Sequence, residues 1–405
     1  MGRPLDGIKV VELTTFVAAP MCGRMLADLG ADVVKIESRG GDSWRDFGAT
    51  ICEVTSMSEN PVFDVFNAGK KGIVLNLKDA DGMEIMDKLL SEADIFLTNT
   101  RAKSLQKMGL DYDTLHAKYP RLIFATLTGF GEKGPEAASP GFDNVAFWAR
   151  TGFSTDMNFK DQPAPLCPTT AMGDAITGVT LLSTVLAAII QRDRTGVGDA
   201  VTISLYNAAI WVMAGMVIRT QERYNDPFPK VRETMNPLGM AYCCGDGEWI
   251  MLTILDYNKL AEKFFTLIGD PALFTDPRYN GLKNMRAHGD EMVPRIDAAL
   301  LKKSSAEWIA IFKENDIVCD RMGHFREVSK DEQAWVNEYV QEYTCRNGET
   351  CVMPCPPIRM SSVGNIKSGP APLVGEHTAQ VLATLGYSEE QISALAEKGA
   401  VALQK

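Results

Sequence analysis

Ile8-Lys9-Val10-Val11-Glu12-Leu13, the segment Pro20 to Leu29, and Asp32-Val33-Val34-Lys35-Ile36-Glu37 decide the fold. The first and third are short runs rich in Val and Ile, suited to strands buried on both faces. The middle segment has apolar residues at helical spacing and stops at Gly30. Together they predict a β-strand, a crossover helix and a parallel β-strand. Outward from this unit, Gly72 to Leu77, Ile95 to Thr98 and Leu122 to Thr126 read as further strands. Helices are expected between them at Asp79 to Ser91 and Thr114 to Lys118. Such alternation implies an α/β protein with a Rossmann-like parallel sheet covered on both faces. The loop Thr14-Thr15-Phe16-Val17-Ala18-Ala19-Pro20 lacks the G-x-G-x-x-G fingerprint, which counts against a dinucleotide site.

A chain of 405 residues exceeds what one core usually holds, so two domains are expected. Residues 1–220 form the large Rossmann-like domain, and the polar, Pro-containing residues 221–237 a linker. Residues 238–325 form a smaller α/β domain, with a strand at Trp249 to Ile254 and helices at Tyr257 to Ile268, Met292 to Lys302 and Ala306 to Asn315. Residues 326–405 are a C-terminal segment with two more helices. With 41 basic against 52 acidic residues the net charge is −11, which argues against nucleic acid or an anionic membrane as partner. The first residues carry no apolar signal core, so a cytoplasmic protein is expected. The cysteines at 22, 52, 167, 243, 244, 319, 345, 351 and 355 match no zinc-site spacing. Cys345, Cys351 and Cys355, the nearest to a cluster, have no histidine close by, so no metal is expected.

Thr169-Thr170-Ala171-Met172-Gly173-Asp174-Ala175-Ile176-Thr177-Gly178 places one carboxylate at the entrance to an apolar run from Ala175 to Ile190. That run of sixteen residues predicts a fully buried helix, shorter than a bilayer span. In its first turn the unpaired N–H groups and the positive end of the helix dipole favour an ionised carboxylate. Asp174 is then either an N-cap or a presented nucleophile, and the stretch alone leaves both open. Parallel sheets bind ligands at the carboxyl ends of their strands, which makes Phe16, Val17, Arg39, Asn99 and Arg101 candidate pocket residues.

Several segments, in order along nearly the whole chain, resemble the class III CoA-transferase family. They are Pro4-Leu5-Asp6-Gly7-Ile8-Lys9-Val10-Val11-Glu12, Gly30-Ala31-Asp32-Val33-Val34-Lys35-Ile36-Glu37, Asn67-Ala68-Gly69-Lys70-Lys71, Asn99-Thr100-Arg101, Gly129-Phe130-Gly131, Gly173-Asp174 and Gly375-Glu376-His377-Thr378. Glu12 to Pro20 and Gly129 to Pro135 look most similar to the clostridial transferases acting on 2-hydroxy acids such as 2-hydroxyisocaproate and phenyllactate. The resemblance implies the CoA-transferase III fold, with the C-terminal segment returning to the large domain, and an interlocked homodimer. It implies no tightly bound cofactor, with coenzyme A entering as part of the acyl-CoA substrate.

For the residues, the resemblance implies that Asp174 attacks a donor thioester and carries a mixed anhydride and then an aspartyl-CoA thioester. Asp143 assists by orienting the acyl or acceptor group, and Phe16, Val17, Arg39, Asn99, Arg101 and Lys107 line the CoA path. Trp148, Phe153, Met157, Met172 and Ala175 shape the acyl pocket. Val17 stands where formyl-CoA transferase has a glutamine, which favours an acceptor less polar than oxalate. Two other readings compete. A 2-methylacyl-CoA racemase of this fold needs a histidine before an aspartate, where this chain has Phe142-Asp143. A catalytically silent CoA-binding protein would not need Asp174.

Overall fold

The computed structural model describes residues 2–51, 56, 58–168 and 171–404. Thr169 and Thr170, quoted above, lie outside the described residues. The chain divides into two compact units, Met1–Phe153 with Pro168–Val217 and Ser329–Lys405, and Ser154–Cys167 with Ile218–Val328. Relative to the boundaries drawn from the sequence, residues 154–167 and 221–237 pack with the second unit.

The first unit is built on strands β1 (Lys9–Leu13), β2 (Asp32–Glu37), β3 (Lys71–Leu75), β4 (Ile95–Thr98), β5 (Ile123–Thr128) and β6 (Ala200–Ser204). They lie side by side in the order β3-β2-β1-β4-β5-β6, all parallel, and Val401–Ala402 adds antiparallel to β3 at the edge. The order reverses between β1 and β4, and the loops leaving those two strands flank the crevice where such sheets take ligands. Helices Ala18–Asp28 and Met172–Thr195 cover one face of the sheet. Gly178 lets them touch, since a Cβ there would lie 2.5 Å from the Ala18 carbonyl oxygen. Ala80–Glu92 and Thr378–Thr384 close the other face around Ile73, Ile85 and Phe96.

The second unit has its own core, in which Phe264, Phe265, Trp308 and Phe312 pack under the antiparallel sheet of Ala241–Cys243, Trp249–Thr253 and Val318–Arg321. The helix Ser305–Glu314 starts at a capping box in which Ser304 and Glu307 satisfy each other's free N–H groups.

The Met172–Thr195 helix is longer and less buried than the sequence predicts. Its 24 residues are enough to cross a bilayer by length and composition, so the shortness expected of the apolar run is not what argues against a span. One face, with Thr177, Gly178, Leu181, Val185 and Ala188, is buried within the protein. The other leaves Val179 and Ile190 exposed. The helices Trp44–Ile51, Pro61–Asn67 and Ala102–Met108 were not foreseen, because seven or eight residues are too few to show a period.

Two charged residues sit in the middle of buried strands. Glu12 on β1 and Lys35 on β2 are both fully buried, and Lys35 Nζ lies 3.4 Å from Glu12 Oε1 and 2.9 Å from Asp42 Oδ2. Lys70, just before β3, donates to Glu12 Oε1 at 2.9 Å, to the Asn67 side chain and to the Pro20 carbonyl. Burial works against the charge on Lys35, but Glu12, Asp42 and Glu37 outweigh it and hold its pKa above the ordinary value. For Lys70 burial wins and pushes it down to about 8.

Removing one member leaves the others charged and unmatched in a dry interior, which costs about 3–5 kcal/mol. Lys35→Met should therefore lower unfolding stability by about that much in urea titrations. Lys71→Met, which breaks the exposed pair with Asp32, should change it by less than about 1 kcal/mol. Similar losses for the two variants would contradict this account of the cluster.

Candidate active site

Asp174 is the third residue of the Met172–Thr195 helix, not its N-cap. The cap position belongs to Ala171, which has φ 69° and no side-chain hydrogen bond to offer. A non-glycine residue with left-handed backbone costs on the order of 1 kcal/mol, and such strain concentrates at functional sites. The first-turn N–H groups are thus left without a local cap.

Asp143 comes to that turn from a separate element. It opens the π-helix Asp143–Ala149, is 6% exposed, and lies against Gly173 so closely that a Cβ at 173 would meet its Oδ1 at 2.2 Å and the Phe147 ring at 2.3 Å. Only glycine at 173 permits this approach. Burial raises the Asp143 pKa, and the Trp148 indole with the N–H groups of Asp174, Gly173 and Ala171 draws it back part of the way. Asp174 is half-buried and pushed up to about 7, first by burial and then by the negative charge of Asp143. The helix terminus therefore does not keep Asp174 ionised, as the sequence suggested. Desolvation and a like charge outweigh the dipole.

The loop after β1 reaches the same place. Phe16 has φ 66°, and its N–H donates to Asp42 Oδ1 at 3.0 Å, an oxygen that also accepts from the Trp44 N–H. Its ring meets Phe142, the residue before Asp143, edge to face at 5.2 Å. Val17, with Phe16 at its edge, packs in one apolar cluster with Ala171. Phe16, Val17, Asp143 and Asp174 are thus brought together; Asp42, which the sequence reading passed over, and Phe142, read there only as standing in place of a racemase histidine, belong with them. The only advance signal for Asp42 was the turn-forming run Gly40-Gly41-Asp42-Ser43.

Asn99 ties the β4 loop to the β1 loop, accepting from the Thr15 N–H at 3.0 Å and donating to the Thr15 carbonyl at 2.8 Å. Arg39, Arg101 and Lys107 are exposed, at the ends of β2 and β4 and in the Ala102–Met108 helix. Among the expected acyl-pocket residues, Trp148 and Phe153 are buried in the core with Phe147, ring centroids 4.7 Å apart. Met172 is exposed and Ala175 half-buried beside Asp174, while Met157 is exposed on the second unit. Among the described residues, no group of His, Cys, Asp and Glu is gathered in a way that could hold a metal ion.

A carboxylate that ionises near neutral pH is a stronger nucleophile toward an acyl carbon than an ordinary, more acidic one. Its apolar surroundings would shield an ester-like or anhydride adduct from water.

A family model described as CoA-transferase family III matches residues 5–378. The (R)-2-hydroxy-4-methylpentanoate CoA-transferase of Clostridioides difficile is 42% identical over 96% of this chain and 97% of its own. The cinnamoyl-CoA:phenyllactate CoA-transferase of Clostridium sporogenes is 37% identical over 99% and 98%. A formyl-CoA:oxalate CoA-transferase of Escherichia coli is 32% identical over 99% and 100%. Among solved structures, a CAIB/BAIF family protein from Brucella suis superposes with a TM-score of 0.80 at 26% identity, covering 95% of this chain and all of that one.

Because folding holds the Asp174 carboxyl at about 7 against an ordinary 3.8, the folded state favours its protonated form. That stabilisation is complete below about pH 4 and is lost as pH rises through about 7, above which the ionised group destabilises the fold. Asp174→Asn should raise the thermal midpoint at pH 8 by the equivalent of about 2–3 kcal/mol, after discounting for partial exposure. The gain at pH 5 should be clearly smaller. Equal gains at the two pH values would show that Asp174 is not held in its neutral form.

Proposed function

The chain is a CoA-transferase of family III, and from that premise we propose that it moves CoA from an acyl-CoA donor to a medium-sized 2-hydroxy acid with Asp174 as the nucleophile. The observation that carries the assignment of Asp174 is its place in the uncapped first turn of a largely apolar helix, half-buried and facing a second carboxylate. The 2-hydroxy acids named for two relatives, 2-hydroxy-4-methylpentanoate and phenyllactate, support the substrate class.

In this reading a carboxylate oxygen of Asp174 attacks the donor thioester carbonyl, and CoA leaves as its thiolate. An acyl-aspartyl anhydride remains. The thiolate then attacks the aspartyl carbonyl and expels the donor acid, leaving an aspartyl-CoA thioester. The acceptor carboxylate attacks that thioester in turn, and the released thiolate takes the new acyl group from the second anhydride. Asp174 is returned as a carboxylate. Each step trades one activated acyl bond for another of similar energy, so no step is steeply uphill. Arg39, Arg101 and Lys107 serve the CoA phosphates, Asn99 holds the CoA path open through its bonds to Thr15, and Phe16 and Val17 flank the thioester. Trp148, Phe153, Met172 and Ala175 shape the acyl side, with Asp143 beside the reacting carboxylate. A racemase is disfavoured by Phe142, whose ring cannot take a proton. Trp211, 79% exposed, with Val212 and Ile190 leaves apolar surface open on the first unit. That supports a homodimer, which we take to be interlocked, and the free thiols of the described cysteines suit a cytoplasmic enzyme.

Incubation with an acyl-CoA followed by borohydride or hydroxylamine should modify Asp174, read by peptide mass spectrometry. Asp174→Ala should abolish transfer, by about 10³-fold or more, with an unchanged circular-dichroism spectrum. Retained exchange in that variant would show that another residue is the nucleophile. Transfer should also rise with pH through about 7 as Asp174 ionises. A panel of acids should rank 2-hydroxy-4-methylpentanoate and phenyllactate above oxalate, and the reverse order would overturn the substrate class.

A further inference from the structure

We propose that Trp148 is a positioning residue for this reaction: its indole N–H holds the Asp143 carboxylate against the first turn of the Met172–Thr195 helix, so that Asp143 rather than Asp174 occupies that turn's free N–H groups. The inference rests on Asp174 being the nucleophile.

The geometry begins in the π-helix. Trp148 is five residues after Asp143, and in an α-helix it would be turned about 140° away around the axis. In a π-helix residues i and i+5 are joined by the backbone hydrogen bond and lie over one another. Arg150 N donates to Val145 O at 3.0 Å in this pattern. The wider turn therefore brings the indole under the carboxylate. Both groups are buried, each 6% exposed. Neither Asp143 oxygen nor Trp148 Nε1 has a fully formed hydrogen bond, yet the indole and the N–H groups of Ala171, Gly173 and Asp174 are all close enough to favour the Asp143 charge. A buried donor and a buried carboxylate that both lack a full partner attract one another. Gly173 supplies the remaining condition, because any side chain there would push Asp143 away from the turn.

The consequence falls on Asp174. The N–H groups that would stabilise its carboxylate already face an anion, so it meets a like charge instead. Few other charges are close by. The Ala18–Asp28 helix contributes Arg24 and Asp28, which pair with each other at 2.9 Å, and Cys22, which is buried. Leu205–Val212 contributes Tyr206, the π-helix only Asp143, and β5 and β6 nothing titratable. On its own helix Arg192, Asp193 and Arg194 lie at the far end. Of these groups only Asp143 acts on Asp174 by its charge.

The test is the pH dependence of the rate at which an acyl-CoA modifies Asp174, followed by mass spectrometry in the intact enzyme. Asp143→Asn should move the midpoint of the acid limb down by about one pH unit, and Trp148→Phe should move it the same way by about half a unit. With Asp143 neutral there is no carboxylate to hold, so the double variant should match Asp143→Asn. Phe153→Leu, which removes a ring packed on Trp148 but keeps the indole, should leave the midpoint in place whatever it does to the rate. An unmoved midpoint in Trp148→Phe, additive shifts in the double variant, or an equal shift in Phe153→Leu would each overturn the proposal. Independently of any change at 148, one of the six tryptophan indole N–H resonances should move in Asp143→Asn, and none moving would overturn it too. An adduct formed at a residue other than Asp174 in the unaltered enzyme would instead remove the nucleophile assignment on which the proposal stands.

Discussion

Four charges buried at the centre of a parallel sheet constrain everything around the site. Glu12, Lys35, Lys70 and Asp42 are each tolerable only because the others are present, since an isolated charge in such a place costs far more than the fold can spare. Matching them requires β1, β2, the turn after β2 and the approach to β3 to converge within hydrogen-bonding distance. The same groups reach the crevice loop. Lys35 donates to the Thr14 carbonyl, Lys70 to the Pro20 carbonyl, and Asp42 accepts from the Phe16 N–H. An apolar quartet of equal volume could hold the strands together, but it could not bind the backbone of Thr14, Phe16 and Pro20, from the end of β1 into the first turn of the next helix. The left-handed backbone of Phe16 is affordable because its N–H is held from below.

A second constraint acts at the start of the Met172–Thr195 helix, and it runs against stability. Ala171 is left-handed without being glycine, the first turn has no side-chain cap, and two carboxylates face one another there. Each feature departs from a local preference, and here all three meet in one turn. The helices Asp79 to Glu92, Ser304 to Glu314 and Ser388 to Lys398 all begin with an Asp or Ser that accepts from its own first turn. Ala18–Asp28, Ala102–Met108 and Thr378–Thr384 also start without a side-chain cap, and Phe16 is also left-handed, but at Asp174 the departures coincide, as at a functional site. The π-helix belongs to the same set, since it places on one face two residues that an α-helix would separate.

Much of this was legible in the sequence, and the parts that were not have physical reasons. The strands Lys9–Leu13 and Asp32–Glu37 were readable because burial on both faces leaves a continuous apolar run. Their mid-strand charges, Glu12 and Lys35, were readable only as exceptions, because pairing across strands depends on register, and Lys70 reaches Glu12 over 58 positions. Asp174 stood out by its place before an apolar run. Its pKa did not, because the opposing charge comes from Asp143, a residue brought there by tertiary packing. Trp148 could be named in the sequence, but the turn that sets it relative to Asp143 could not, because Asp143–Ala149 is a π-helix. No pattern in one sequence announces a π-turn.

The same distinction between paired and unpaired charge explains how a chain of net charge −11 can still carry a local patch of positive potential. The buried cations are matched: Lys35 and Lys70 by Glu12 and Asp42, Arg45 by Glu37, and Arg24 by Asp28. Among the described residues Arg39, Arg101 and Lys107 form no ion pair, and all three are exposed. Arg39 follows β2 and Arg101 follows β4, the two neighbours of β1, which sets the strand ends about 10 Å apart. Net charge acts over the whole surface and is screened within about 8 Å at physiological salt. Two exposed, unpaired arginines in the loops that follow these strands raise the local potential there, whatever the net charge. They flank the crevice at the one reversal in strand order, on the side where the Phe16 loop leads toward Asp174. Sheet topology thus sets Arg39 and Arg101 on either side of the Phe16 loop, and the buried quartet keeps that loop in place.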